Sequence, residues 1–469
     1  MRSIFTAGLV AASLLSVGPV SAFDGELDPR FLTDAVYPGY GFYVGPFDQI
    51  GANDSLGGVV PTVDEKLWLV GKMRVPGSVR ISVTRVERDG IRDVEFADQG
   101  LRTFVRPCEG TFTISDVVAD GAGGAFFAIA GCPDFMVYRL TSAGDLDKGF
   151  AGSGVLTIPF DTGGNNIDTA MELAMTPAGG IVVAGVVATA TVPQLGVANF
   201  TGEGLPVPGF GTDGKVTVPF EWAVPETGGV NGIHATADGL ILAAGSIFDG
   251  ALNRKQFVVR LLPSGIPDPS YGNSSPGIAK VDLRVPLGLS ESPISRASWM
   301  DTDGSLVQVG SLKSSFLNSG DDVFLLRWRP DGLQDVDIGA HGARQYSLDF
   351  AGPFPGNTDN NSDSARAITR QSDGKLVIAA RSKSSDGFAG LAVLRLDPDF
   401  NLDQGFGNGG KVRHMLNLAQ NGLHGMAPVS IIMNAGRILA AADVNTELST
   451  TMQTLVGLQN DLLFADAFD

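Results

Sequence analysis

A short apolar segment ending in glycine or alanine returns seven times along this chain, and no other feature limits its fold so tightly. In register, the copies are anchored at Gly71, Gly131, Gly185, Gly245, Gly310, Ala380 and Ala441, with successive spacings of 60, 54, 60, 65, 70 and 61 residues. A drifting period of this kind predicts one supersecondary unit repeated with insertions in its loops. Each unit holds four apolar runs of strand length. In the sixth they are 365–370, 375–380, 391–396 and 411–416. The middle runs are nearly continuous Val, Ile, Leu and Ala, as strands covered on both faces require. Asp238-Gly239, Asp303-Gly304 and Asp373-Gly374 stand between the first and second runs, and Asp-Gly between strands is a strong hairpin signal. Apart from the first residues, no window keeps a helical period.

The fold predicted is therefore all-β: a seven-bladed β-propeller of four-stranded antiparallel blades, in which radial repetition leaves few open sheet edges. The seventh unit supplies three strands, ending near Leu458. The N-terminal segment around Gly41–Val44 is expected to complete that C-terminal blade and close the ring. Residues 23–469 are read as one propeller domain and 1–22 as a signal peptide, from Arg2, the apolar run Ile4–Val17 and the small residues Val20-Ser21-Ala22.

A second motif punctuates the units: a polar turn, an aspartate, an aromatic and a glycine cluster. It is clearest in Leu402-Asp403, Phe406-Gly407 and Gly410-Lys411-Val412, and kin stand at Asp24–Phe31, Gly144–Phe150, Gly209–Val216 and Gly265–Tyr271. The copies at 89–96 and 331–339 are degenerate. Phe31, Phe150, Phe210, Tyr271 and Phe406 are expected to fill the gaps between blades. Together with Asp373-Gly-Lys-Leu-Val-Ile-Ala379, these residues resemble the delta-60 repeat proteins, a group of exported bacterial proteins. The resemblance covers essentially the whole chain after residue 22 and implies the propeller fold and a secreted, periplasmic or surface location. It implies almost nothing about ligand. The tail Leu463–Asp469 is read as an eighth, truncated turn motif in preference to a sorting sequence.

A net charge of −18 argues against nucleic acid and anionic membrane surfaces as partners, and no later segment is apolar enough to span a bilayer. A monomer is expected. The two cysteines, Cys108 and Cys132, flank the first hairpin of unit two and should face each other across its open end. A disulfide is favoured over free thiols or half a metal site.

Candidate chemistry is sparse. His234, His341, His414 and His424 have no zinc-motif spacing, and His234 reads as a packed or hydrogen-bonded histidine. No catalytic residue and no cofactor is assigned. The acidic loops Asp359–Asp363 and Asp301–Asp303 offer only a weak calcium signal. Glu172, Asn231, Arg296 and Arg366 fall on innermost strands near the face that carries the variable loops, where they would line the channel mouth. Arg296 and Arg366 each precede their turn aspartate by seven residues and are first read as ordinary ion-pair residues. The function expected is a non-catalytic binding or scaffold protein whose partner is a glycan or a cell-envelope protein. The alternative is a hydrolase or lactonase with a metal at the channel mouth.

Overall fold

Seven four-stranded antiparallel sheets follow one another along the chain in a computed structural model. The structure describes residues 24–31, 42–45, 54–165, 167–219, 229–248, 253–284, 286–289, 291–313, 320–348, 362–383, 389–414, 425–445 and 451–460. The leader at 1–22, His424 and the tail 463–469 lie outside them. So do parts of the second-to-third turns and blade linkers at 247–255, 313–322, 351–364 and 381–390.

In blades 1 to 6 the strands are used in sequence order from the axis outward. Blade 6 runs Ser362–Arg370, Leu376–Lys383, Ala389–Leu396 and Lys411–His414. Each innermost strand contacts the next around the ring, and the last, Gly425–Asn434, returns to the first, Ser55–Pro61. Among the described residues the helical content is a single 3-10 turn at Ala340–Gly342, and no helix is long and apolar enough to cross a membrane.

The ring closes as the sequence predicts. Phe42–Gly45 forms the outer strand of blade 7, with Phe42 opposite Val456 and Val44 opposite Thr454. The preceding turn adds to the seam: Leu27 bridges Leu458, and Gly25 N–H and Asp28 N–H donate to the carbonyls of Gln459 and Gly457 at 2.9 Å each. An exposed edge on the strand Thr451–Leu458 is thereby covered.

Seven apolar clusters lie between successive blades, and the turn motif supplies a large side chain to each. Phe31, Phe150 and Phe406 are fully buried, and Phe96, Phe210, Tyr271 and Ile338 nearly so. The turn glycine of the following blade lies flat on the ring. A Cβ on Gly332 would stand 2.8 Å from Tyr271, and one on Gly144 would stand 2.7 Å from Phe96. Both glycines also have positive φ, so side chains there are excluded twice over.

An arginine eight residues before the motif aspartate locks the turn. Arg85–Asp93 (2.6 Å), Arg260–Asp268 (2.9 Å) and Arg395–Asp403 (2.8 Å) share this geometry, as do Arg139–Asp147 and Arg327–Asp335. The guanidinium also covers the motif ring, 4.3 Å above Tyr271 and 4.7 Å above Phe406. Burial alone would raise the Asp403 carboxyl; the Gly405 N–H, Arg395 and Lys375 outweigh it and hold the carboxyl below its ordinary range.

Cys108 and Cys132 form a disulfide with their Cα atoms 5.8 Å apart. It ties the entry of blade 2 to the end of its second strand.

Candidate functional site

Every innermost strand carries a β-bulge near its start, and the bulges stand at one level around the axis. They fall at Gly57, Ser115, Met171, Asn231, Arg296, Arg366 and Val429, each between two paired positions where the register slips by one. A bulge leaves its residue outside the ladder and re-aims the side chain. The residues just after the bulges form a second level that includes Asp116 and Glu172, paired with Ala128 and Ala184. Both levels line a central channel cavity of about 580 Å³, a size in the range of small-molecule sites.

Glu172, Asn231, Arg296 and Arg366 all line this cavity. Asn231, Arg296 and Arg366 stand at the bulges, and Glu172 one residue beyond the bulge at the middle of its strand, Thr169–Met175. Asp116, Ser115 and His234 join them.

The cavity is electrically divided. Blades 2 and 3 contribute Asp116 and Glu172; blades 5 and 6, across the channel, contribute Arg296 and Arg366. Burial pushes the Asp116 carboxyl up to about 6, although it accepts hydrogen bonds from the N–H groups of Leu173 (2.8 Å) and Val117 (2.7 Å). Burial, and then the neighbouring Asp116, raise Glu172 well above the carboxylate range. Neither carboxyl forms an ion pair with Arg296 or Arg366 among the described residues, so the two poles do not neutralise each other.

The positive pole is equally unsatisfied. Burial first, then Arg296 and Arg381, lower Arg366 to about 10, and burial lowers Arg296. Arg366 Nε is buried with no hydrogen-bond partner among the described residues. Neither Arg296 nor Arg366 forms an ion pair among the described residues, which departs from their first reading as ordinary ion-pair residues. Their bulged positions aim them inward, away from the acidic turns that engage the arginines of the blade rims.

The other polar groups have clear roles. Asn231 Oδ1 accepts from Ser295 Oγ at 2.7 Å. His234 Nε2 lies 2.9 Å from Ser298 Oγ, and burial lowers its imidazole to about 4, so it is neutral near pH 7. Of the acidic loops, Asp301 pairs with Arg370 at 2.8 Å and Asp303 Oδ1 accepts from Ser305 N–H at 2.8 Å. Asp363 is buried, and residues 359–361 lie outside the description. Among the described residues no group of three or more His, Cys, Asp or Glu side chains is placed to hold a metal ion.

Asp116 is the channel residue that sequence reading passed over. The signal for it is positional. Asp116 and Glu172 each stand four residues before the first residue of the hairpin turn, Asp120 and Thr176, whose N–H groups close those turns.

One family match agrees with the architecture. Residues 371–406 match the family described as "Domain of unknown function (DUF5122) beta-propeller". No curated protein matches the chain. Among solved structures, a protein of unknown function from Dyadobacter fermentans is similar at 11% identity and a TM-score of 0.40, covering 90% of this chain and 99% of that one. The polysaccharide lyase Uly1 is similar at 11% identity and 0.38, covering 72% and 88%. A Trypanosoma rangeli sialidase in complex with 2,3-difluorosialic acid is similar at 10% identity and 0.39, covering 95% of this chain but 59% of the sialidase. Likenesses this remote carry no argument about activity.

Proposed function

We propose that this chain is an exported, monomeric, non-catalytic binding propeller of the delta-60 repeat group. It acts at the cell envelope or outside the cell and receives a glycan or envelope-protein ligand at the mouth of its central channel. One observation carries the reading. Arg296 and Arg366 project from bulges on a rigid ring into an open cavity with no internal ion-pair partner among the described residues. Arg296 is exposed to the channel and Arg366 half-buried beside it, and groups set toward a cavity without internal partners are suited to an external one. The leader-like residues 1–22 and a disulfide are in keeping with an oxidising compartment outside the cytosol.

The test is capture. Purified residues 23–469 are screened against immobilised glycans and cell-envelope fractions, beside the Arg366→Gln variant. Retention of a component by the native chain but not by the variant is expected. Equal retention by both, or none by either, removes the reading.

An enzymatic reading draws on one observation: two carboxyls with raised pKa values on adjacent inner strands are groups that acid–base chemistry uses. One tightly held divalent ion per purified chain, with hydrolysis of esters or lactones abolished by Asp116→Asn, would establish it in place of the binding function.

A further inference from the structure

The channel holds two like-charged pairs on opposite walls, and each pair lacks what it needs. Arg296 and Arg366 occupy equivalent bulge positions on neighbouring strands and act on each other electrostatically. Like charges held together lower each other's stability unless an anion comes between them. A guanidinium is suited to carboxylate, since it offers several donors in a fixed plane. The opposite wall is the mirror case. Asp116 and Glu172 occupy equivalent positions on neighbouring strands, repel each other, and have no cationic partner among the described residues. The Asp116 carboxylate accepts two backbone N–H groups, while Glu172 has no hydrogen-bond partner among the described residues. Between the walls, the bulged Asn231 also lines the cavity and accepts a hydrogen bond from Ser295 Oγ through Oδ1.

We infer that the channel mouth binds a zwitterion, with its carboxylate between Arg296 and Arg366 and its ammonium between Asp116 and Glu172. The ligand class is an amino acid or short peptide with its two charges far enough apart to span the walls. One such ligand relieves both repulsions at once, whereas a simple anion or a simple amine relieves one and leaves the other. The inference rests on the channel being the binding site and replaces its general ligand class with a charged amino acid or peptide group.

A series of ω-amino acids measures the span directly. 4-Aminobutyrate, 6-aminohexanoate and 8-aminooctanoate are titrated into residues 23–469 by calorimetry at pH 7.5 and low salt, beside hexanoate and hexylamine. The expected result is one preferred length that binds about tenfold or more tighter than either monofunctional compound, since both charge pairs engage only then. Arg366→Gln should reduce the preferred amino acid to the affinity of hexylamine, and Glu172→Gln to that of hexanoate. Arg366→Gln removes a repelled, desolvated charge, so it should keep or raise the melting temperature, and a thermal scan of each variant separates lost binding from lost folding. Absence of binding by the whole series, equal affinity across the lengths and the monofunctional compounds, or binding indifferent to both substitutions in folded protein overturns the inference. Capture of a neutral glycan that depends on Arg366, with no response to the amino acids, overturns the zwitterion and leaves the binding propeller standing.

Discussion

Asp443 shows how much a single carboxyl can burden this ring. It lies on the second strand of blade 7 and accepts a hydrogen bond from Leu56 N–H of blade 1 at 2.8 Å. Burial raises it to about 7; the Leu56 N–H and Lys72 pull it down, and Asp54 pushes it further up. The folded state therefore holds a proton that the unfolded chain, with an ordinary value of 3.8, releases. Its contribution to stability is complete below pH 4 and is lost as pH rises through about 7. Asparagine keeps an acceptor for Leu56 and carries no charge. Asp443→Asn should raise the melting temperature by a margin that grows between pH 4 and 7 and levels off above; a pH-independent margin would contradict the assignment. A second residue-scale test concerns Cys108→Ser. Opening the loop closed by two cysteines 24 positions apart should destabilise the protein by about 3 kcal/mol on the chain-entropy model, read by denaturant unfolding without reductant. The pairing of the cysteines was legible from their distances to the hairpin. The role of Asp443 was not, because its neighbours come from the far end of the chain.

Blades 5 and 6 break the repeat in a compensating way. Blade 5 has Ile338 where other blades have an aromatic ring, and blade 6 has Phe400 where other turns have glycine. Phe400 adopts φ 64°, lies in the same cluster as Ile338, and has the Arg327 guanidinium 5.4 Å above it. The ring has in effect changed owner while its place between the blades stays filled. Phe400→Gly should relieve the backbone yet lose about 3 kcal/mol through the cavity. Ile338→Phe alone should be destabilising by overpacking. The double variant should recover most of both losses, so a double-mutant cycle must give a favourable coupling well above 1 kcal/mol; additivity would show that the two sites do not share one space. At this scale the sequence was informative wherever a turn repeated, since Phe406 and Tyr271 announce themselves by position. The partner arginines were in plain view, eight residues upstream, but their meaning appears only when strand and turn meet. Glu172, Asn231, Arg296 and Arg366 could be placed by counting from the hairpin, whereas their lack of partners depends on the channel's width and on the bulges that turn them inward.

As a whole, the molecule is held by interfaces that each join neighbours, except at one seam. Removing residues up to 45 would bare the edge of Thr451–Leu458 and take away Phe31 and the Asp28–Arg437 ion pair of 2.6 Å. Such a truncation should lower the melting temperature by ten degrees or more and give concentration-dependent association in size-exclusion chromatography. A full-length chain run in parallel provides the reference; unchanged stability would place closure elsewhere. The pairing of Phe42 with Val456 has a consequence in time as well as in space. A ribosome makes Phe42 long before Val456, with six whole blades between them, so the wheel cannot lock until the later strand has emerged. Six blades can settle as they emerge, but the joint that secures them must wait for that strand, and until then the segment Phe42–Gly45 has no partner to pair with.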